Sequence, residues 1–118
     1  MKSLSMEKVQ DRAQLLKSLG HPVRLALLAE LARGPKCVTD IRDLLAVAQP
    51  SVSQHLSVLR QMELVDCHED GNVRCYYILR PALVRDLLHF VISEYPKEPQ
   101  SPVAVRKAGT KRARKESR

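Results

Sequence analysis

The chain lacks any run of eighteen or more apolar residues, the length a membrane span requires, and its opening, MKSLSMEKVQDR, lacks the apolar core of a secretory leader. Both absences point to the cytoplasm. The four glycines are not grouped into a phosphate-cradling loop. The chain also has no nucleophile elbow, and no acid and base are paired near a plausible pocket, so an enzyme is not expected. Cysteine is scarce and odd in number, at Cys37, Cys67 and Cys75. In a reducing compartment these are expected as thiols or ligands rather than a disulfide framework.

The 118 residues suffice for one domain with a modest core, plus a tail. The formal charge of +7 favours a polyanionic partner but is unevenly placed. Beyond Pro96 stand eight basic and two acidic side chains, so +6 of the +7 lies there and the preceding body is nearly neutral. Residues 97–118 have no usable periodicity and are expected to form a basic disordered tail, with residues 1–96 as the folded domain.

Within the body, Val9, Ala13, Leu15, Leu16 and Leu19 recur at helical spacing up to Gly20. Pro22 restarts the chain, and Val23, Leu25, Leu27, Leu28 and Leu31 follow to Gly34-Pro35. This second helix is apolar on most sides and is expected to be central. A short periodic segment from Val38 to Leu45 and a four-residue link, Ala46-Val47-Ala48-Gln49, lead to PSVSQHLSVLRQM. There Val52, Leu56, Leu59 and Met62 mark one face, while the opposite face is polar yet nearly uncharged. The period then changes. Residues 64–68 and 73–79 are rich in strand formers, Asp70-Gly71-Asn72 between them signals a hairpin, and Pro81 opens a last helix with Leu83, Val84, Leu87, Leu88, Val91 and Ile92. The result is a mainly α fold with a small β-hairpin, in the order α-α-α-α-β-β-α. That is the order of a winged helix-turn-helix, whose fourth helix enters the major groove. A small α+β domain with no DNA function is the bland alternative.

From about Leu15 to Val91 the chain resembles the ArsR/SmtB family of metal-responsive repressors, through SLGHPVRLALL, KCVTDIRDLL, QPSVSQHLSVLRQMELV and the wing DGNVRCYYIL. The resemblance implies a homodimer joined by the first and last helices, bound to an inverted-repeat operator in double-stranded DNA and released by an inducer. Ser51, Ser53, Gln54 and His55 match the family's recognition-helix positions. Gln binds adenine bidentately, and Ser and His reach bases or phosphates; otherwise these residues are solvent-facing filler. Gln49 either caps the backbone or approaches a phosphate. Arg74, near the wing tip, is expected on a phosphate. A constitutive architectural DNA binder with no inducer is the alternative function.

The chain departs from the family at three places. Glu63 stands where a glycine often precedes the wing, which questions the left-handed helix end. Arsenic-binding members carry Cys-x-Cys, but here Cys37 is followed by Val38-Thr39, so the three-sulfur site is incomplete. Asp86, His89 and Glu94 on the last helix invite comparison with a zinc site across paired helices, but the single histidine favours an ordinary polar outer face. Sensing is expected at the cysteines, with Cys67 and Cys75 as its centre and As(III), Sb(III), Cd(II), Zn(II) or a thiol-reactive species as inducer. A loop Asp70-Gly71-Asn72 places Cys67 opposite Cys75, and a loop Glu69-Asp70-Gly71 makes them diagonal neighbours. A loop Asp70-Gly71 puts them on opposite faces. Cys37 joins them only if the third helix lies against the wing. His68, beside Cys67, is expected as a surface strand residue. Otherwise all three cysteines are small apolar fillers.

Overall fold

The computed structural model describes residues 3–45 and 49–116, with side-chain surroundings for all of these except 49–50 and 112–116. The expected link at 46–48 lies outside the described residues. Ser5 opens α1 (Met6–Leu19) by accepting the Lys8 N–H on its hydroxyl. The imidazole of His21 does the same for the Val23 N–H, at 3.1 Å, at the head of α2 (Pro22–Leu31), with Pro22 in the first turn, where its missing N–H is not needed. Then come β1 (Lys36–Cys37), α3 (Val38–Leu45), α4 (Gln49–Gln61), β2 (Val65–Asp70), β3 (Val73–Ile78), α5 (Pro81–Ile92) and α6 (Pro102–Glu116).

α2 is central, as expected. Its Leu27, Leu28 and Leu31 are buried with Ile41 of α3, Val52, Leu56 and Leu59 of α4, Leu64, Val65 and Tyr76 of the wing, and Val84 of α5. Burying one such side chain contributes about 1.5–3 kcal/mol, so this single cluster carries most of the stability of the body.

The helix end before the wing is left-handed even without glycine. Glu63 sits at φ +58°, the Leu64 N–H reaches the Leu59 carbonyl at 3.0 Å, and the Glu63 N–H reaches the Arg60 carbonyl at 3.0 Å. This is the Schellman pattern, with Leu59 and Leu64 both fully buried in the core cluster.

Three expectations need correction. The wing is a three-stranded sheet of order β1-β3-β2, because Lys36 and Cys37 add a short edge strand to β3. Two residues are too few to show alternation, so periodicity misses them. The hairpin loop is Gly71-Asn72, with Asp70 opposite Val73 and Gly71 at φ +64°, the pattern of a type II′ turn with glycine first. Cys67 therefore faces Tyr76 across the ladder and Cys75 faces His68, so Cys67 and Cys75 point to opposite faces. The third correction concerns the tail, which holds α6 rather than disorder throughout. Ala, Arg and Lys are good helix formers, Pro102 occupies the first turn, and Ser101 accepts the Ala104 N–H on its hydroxyl. Residues 94–111 are all exposed. The radius of gyration is 20.4 Å, against roughly 13–14 Å for a compact chain of this length, so α6 stands off the body.

Candidate nucleic-acid interface

α4 turns Val52, Leu56 and Leu59 into the core at zero exposure, which obliges the opposite arc, Ser53, Gln54 and Ser57, to face solvent. Ser51 is half-buried at the helix start. Gln49 is the first residue of α4, and its side chain lies outside the described residues. The free arc presents hydroxyl and amide groups without charge, a surface suited to hydrogen bonds with base edges.

His55 is engaged within the fold. Its Nδ1 accepts from the Arg24 guanidinium at 3.2 Å, its ring lies 4.2 Å from that of His21, and Arg24 also donates to the Ser18 carbonyl at 2.8 Å. Burial, then the neighbouring His21 and Arg24, push the His55 pKa down, so the ring is held neutral with its remaining N–H on Nε2. One arginine thus ties the end of α1, the start of α2 and the middle of α4 together and sets the angle at which α4 is presented. This lock was not expected from the sequence. Its signal was the Arg at 24 following the His-Pro helix start, but nothing local says that a residue 31 positions away accepts from it.

Arg74 is exposed on the wing and donates to Glu69, its cross-strand partner, through Nε at 2.9 Å. That hydrogen bond, with the guanidinium charge, holds the Glu69 carboxyl below its ordinary range. Arg74, Asn72 and Tyr76 of the wing line one cleft of about 350 Å³ with Cys37 and with Ser53 of α4. Of the predicted contacts, Ser53 of the helix and Arg74 of the wing thus share one cleft.

Of the cysteines, Cys67 is half-buried against the core, and Cys37 and Cys75 are half-buried directly opposite each other across β1 and β3. A hydrogen bond to Cys75, then burial, raises the Cys37 thiol pKa. The residues compared with a zinc site, Asp86 and His89 of α5 and Glu94 just beyond it, are not gathered into one. His89 Nδ1 meets the Ser93 hydroxyl at 3.1 Å, Asp86 pairs with Arg85 at 3.2 Å, and Glu94 is exposed. Among the described residues, no three His, Cys, Asp or Glu side chains cluster as a metal site. Among them, too, no helix is long and apolar enough to cross a membrane.

The family model described as bacterial regulatory protein, arsR family, matches residues 21–66, which span α2, α3 and α4 and enter the wing. The chain is 42% identical over 85 residues to the biofilm growth-associated repressor of Xylella fastidiosa, covering 71% of this chain and 74% of that one. It is 39% identical over 75 residues to an HTH-type transcriptional regulator of Methanocaldococcus jannaschii, covering 63% and 84%. The crystal structure of the repressor BigR from Xylella fastidiosa superposes with a TM-score of 0.66 at 28% identity, covering 78% of this chain and 94% of that one. HlyU from Vibrio cholerae superposes with a TM-score of 0.67 at 25% identity, covering 76% and 100%. With the winged helix-turn-helix in place and two such relatives covered over most of their length, the chain belongs to the ArsR family of bacterial regulatory proteins, which are transcriptional regulators and not enzymes.

Proposed function

We propose that the protein is a repressor that reads an inverted-repeat operator in double-stranded DNA as a homodimer and leaves it when an inducer binds. The observation that carries this reading is the uncharged polar arc of α4, Ser53, Gln54 and Ser57, set beside Arg74 of the wing. Gln54 and Ser53 read base edges, Ser51 and Gln49 lie at the helix start where phosphate approaches, and Arg74 reaches the backbone once phosphate displaces Glu69. His55 acts through Arg24 as a positioning residue.

The dimer reading rests on apolar surface that the monomer leaves bare. Met6 and Leu16 of α1 are exposed, as are Phe90 and Ile92 of α5, the last at 79%. An apolar groove of about 930 Å³, lined by Leu31, Tyr77, Val84, Leu88 and Ile92, runs beside α5. Exposed patches of this kind mark association sites, and a two-fold dimer would present two α4 helices to successive major grooves. The inducer reading rests on half-buried thiols beside the DNA-facing cleft and on relatives named SmtB repressors.

Titration onto the chain's own promoter region at several salt concentrations tests the proposal. Specific binding at least about a thousandfold tighter than to random DNA is expected. Binding with a steep salt slope but no sequence preference would instead make this an architectural protein held by its basic α6.

A further inference from the structure

Cys37 and Cys75 stand directly opposite in the antiparallel pairing of β1 with β3. Residues so placed point to the same face with Cα atoms about 4.5–5.5 Å apart. Both are free thiols, both are half-buried, and the nearness of Cys75 raises the Cys37 thiol pKa. Neither is spent in the core, whereas Cys67 packs against it on the other face of the sheet. His68 lies opposite Cys75 on β2, but it is exposed on the far strand and forms no three-donor cluster with the two thiols.

We propose that Cys37 and Cys75 form a two-sulfur binding site for a soft, closed-shell cation that accepts low coordination, with copper(I) as the type ion. The donor set carries this choice. Two thiolates without carboxylate or imidazole suit a polarisable ion and reject hard ones. Zn(II) needs four ligands in a structural site, and two sulfurs leave it half-coordinated. A linear S–M–S unit needs only two sulfurs, and residues directly opposite on paired strands present theirs to the same side. On binding, both S–H bonds break, their protons leave to solvent, and two metal–sulfur bonds form with no change in oxidation state.

The place of the site gives it leverage. Cys37 is the last residue before α3, and it lines the cleft shared by Ser53 of α4 and Arg74 of the wing. An ion joining β1 to β3 would couple the entry of the helix-turn-helix to the wing strand carrying Arg74. This last step rests on the operator reading above; the ion site itself does not.

The test is an anaerobic titration of the reduced full chain with copper(I) in competition with a chromophoric copper(I) chelator, followed by X-ray absorption. One ion per chain with two sulfur neighbours is expected. Cys37→Ser and Cys75→Ser should each weaken binding at least about tenfold, and Cys67→Ser should leave it unchanged. Cys37→Ala and Cys75→Ala, checked for native circular dichroism, separate ligand loss from misfolding. Undiminished binding in the folded Cys37 and Cys75 variants, or three sulfurs including Cys67, overturns the site. Promoter binding without metal is measured in parallel. A chain that takes up copper(I) at Cys37 and Cys75 but never binds promoter DNA keeps the ion site and loses the operator reading. One that binds both and stays on DNA loses only the coupling.

Discussion

In the proposed DNA complex, Gln54 of α4 and the Arg74–Glu69 ion pair of the wing stand where the protein would meet DNA. Gln54 projects from the free arc of α4, and Gln54→Ala should cost on the order of 1–3 kcal/mol on the operator with little change on random DNA. Gel-shift titrations on both sequences check it, and equal losses would remove Gln54 from base readout. Arg74 is partly neutralised by Glu69 in the free protein. Glu69→Gln should therefore tighten binding to all DNA sequences and steepen the salt slope by about one unit, since one more cation becomes available to phosphate. His55 carries a lowered pKa in the fold. The unfolded chain therefore takes up a proton first as pH falls, and stability is full above the ordinary histidine pKa of about 6.5 and declines below it. Denaturation midpoints measured from pH 7.5 to 5.5 should fall in the wild type and fall less in His55→Gln. Parallel curves would place the pH sensitivity elsewhere.

At the scale of elements, the junction of α4 and β2 is a helix end built without its preferred residue. Glu63 at φ +58° bears the crowding of its Cβ against backbone, and its exposed pairing with Arg80 at 3.1 Å offsets little of it. Glu63→Gly should stabilise the protein by about 0.5–1 kcal/mol in urea denaturation, the strain relief exceeding the entropy that glycine costs. A destabilised variant would show that the Arg80 contact outweighs the strain. The hairpin teaches a related lesson. Asp70-Gly71-Asn72 announces a turn, but which two residues occupy it depends on Gly71 taking the first central place while Asp70 pairs with Val73. That register parts Cys75 from Cys67, and the pairing of β1 with β3 sets Cys37 opposite it instead.

For the molecule as a whole, the proposed dimer would use the bare apolar faces of α1 and α5. Leu87 and Leu88 already pack against the core of their own chain, so charge there would unfold it. Phe90 and Ile92 do not, at 59% and 79% exposure. Ile92→Glu should leave the circular dichroism unchanged, yield monomers in sedimentation and abolish operator binding; an unchanged sedimentation coefficient would exclude this face from the dimer. The basic α6 stands off the body. Deleting residues 97–118 should keep the fold and the sequence preference while weakening binding and flattening its salt dependence.

The winged helix-turn-helix was readable in the sequence because its elements announce themselves locally. Apolar spacing of 3.6 gives α1 to α5, Pro22 and Pro81 mark helix starts, and Gly71 marks the turn. The polar arc of α4 followed from the same spacing, since residues opposite Val52, Leu56 and Leu59 must face out. Three features only the tertiary structure decided. The Arg24 to His55 lock and the Cys37 to Cys75 pair join residues 31 and 38 positions apart, and no local period encodes which distant side chains meet. The third is β1, which exists only because β3 offers it an edge; two residues hold no strand of their own until a neighbour supplies the hydrogen bonds.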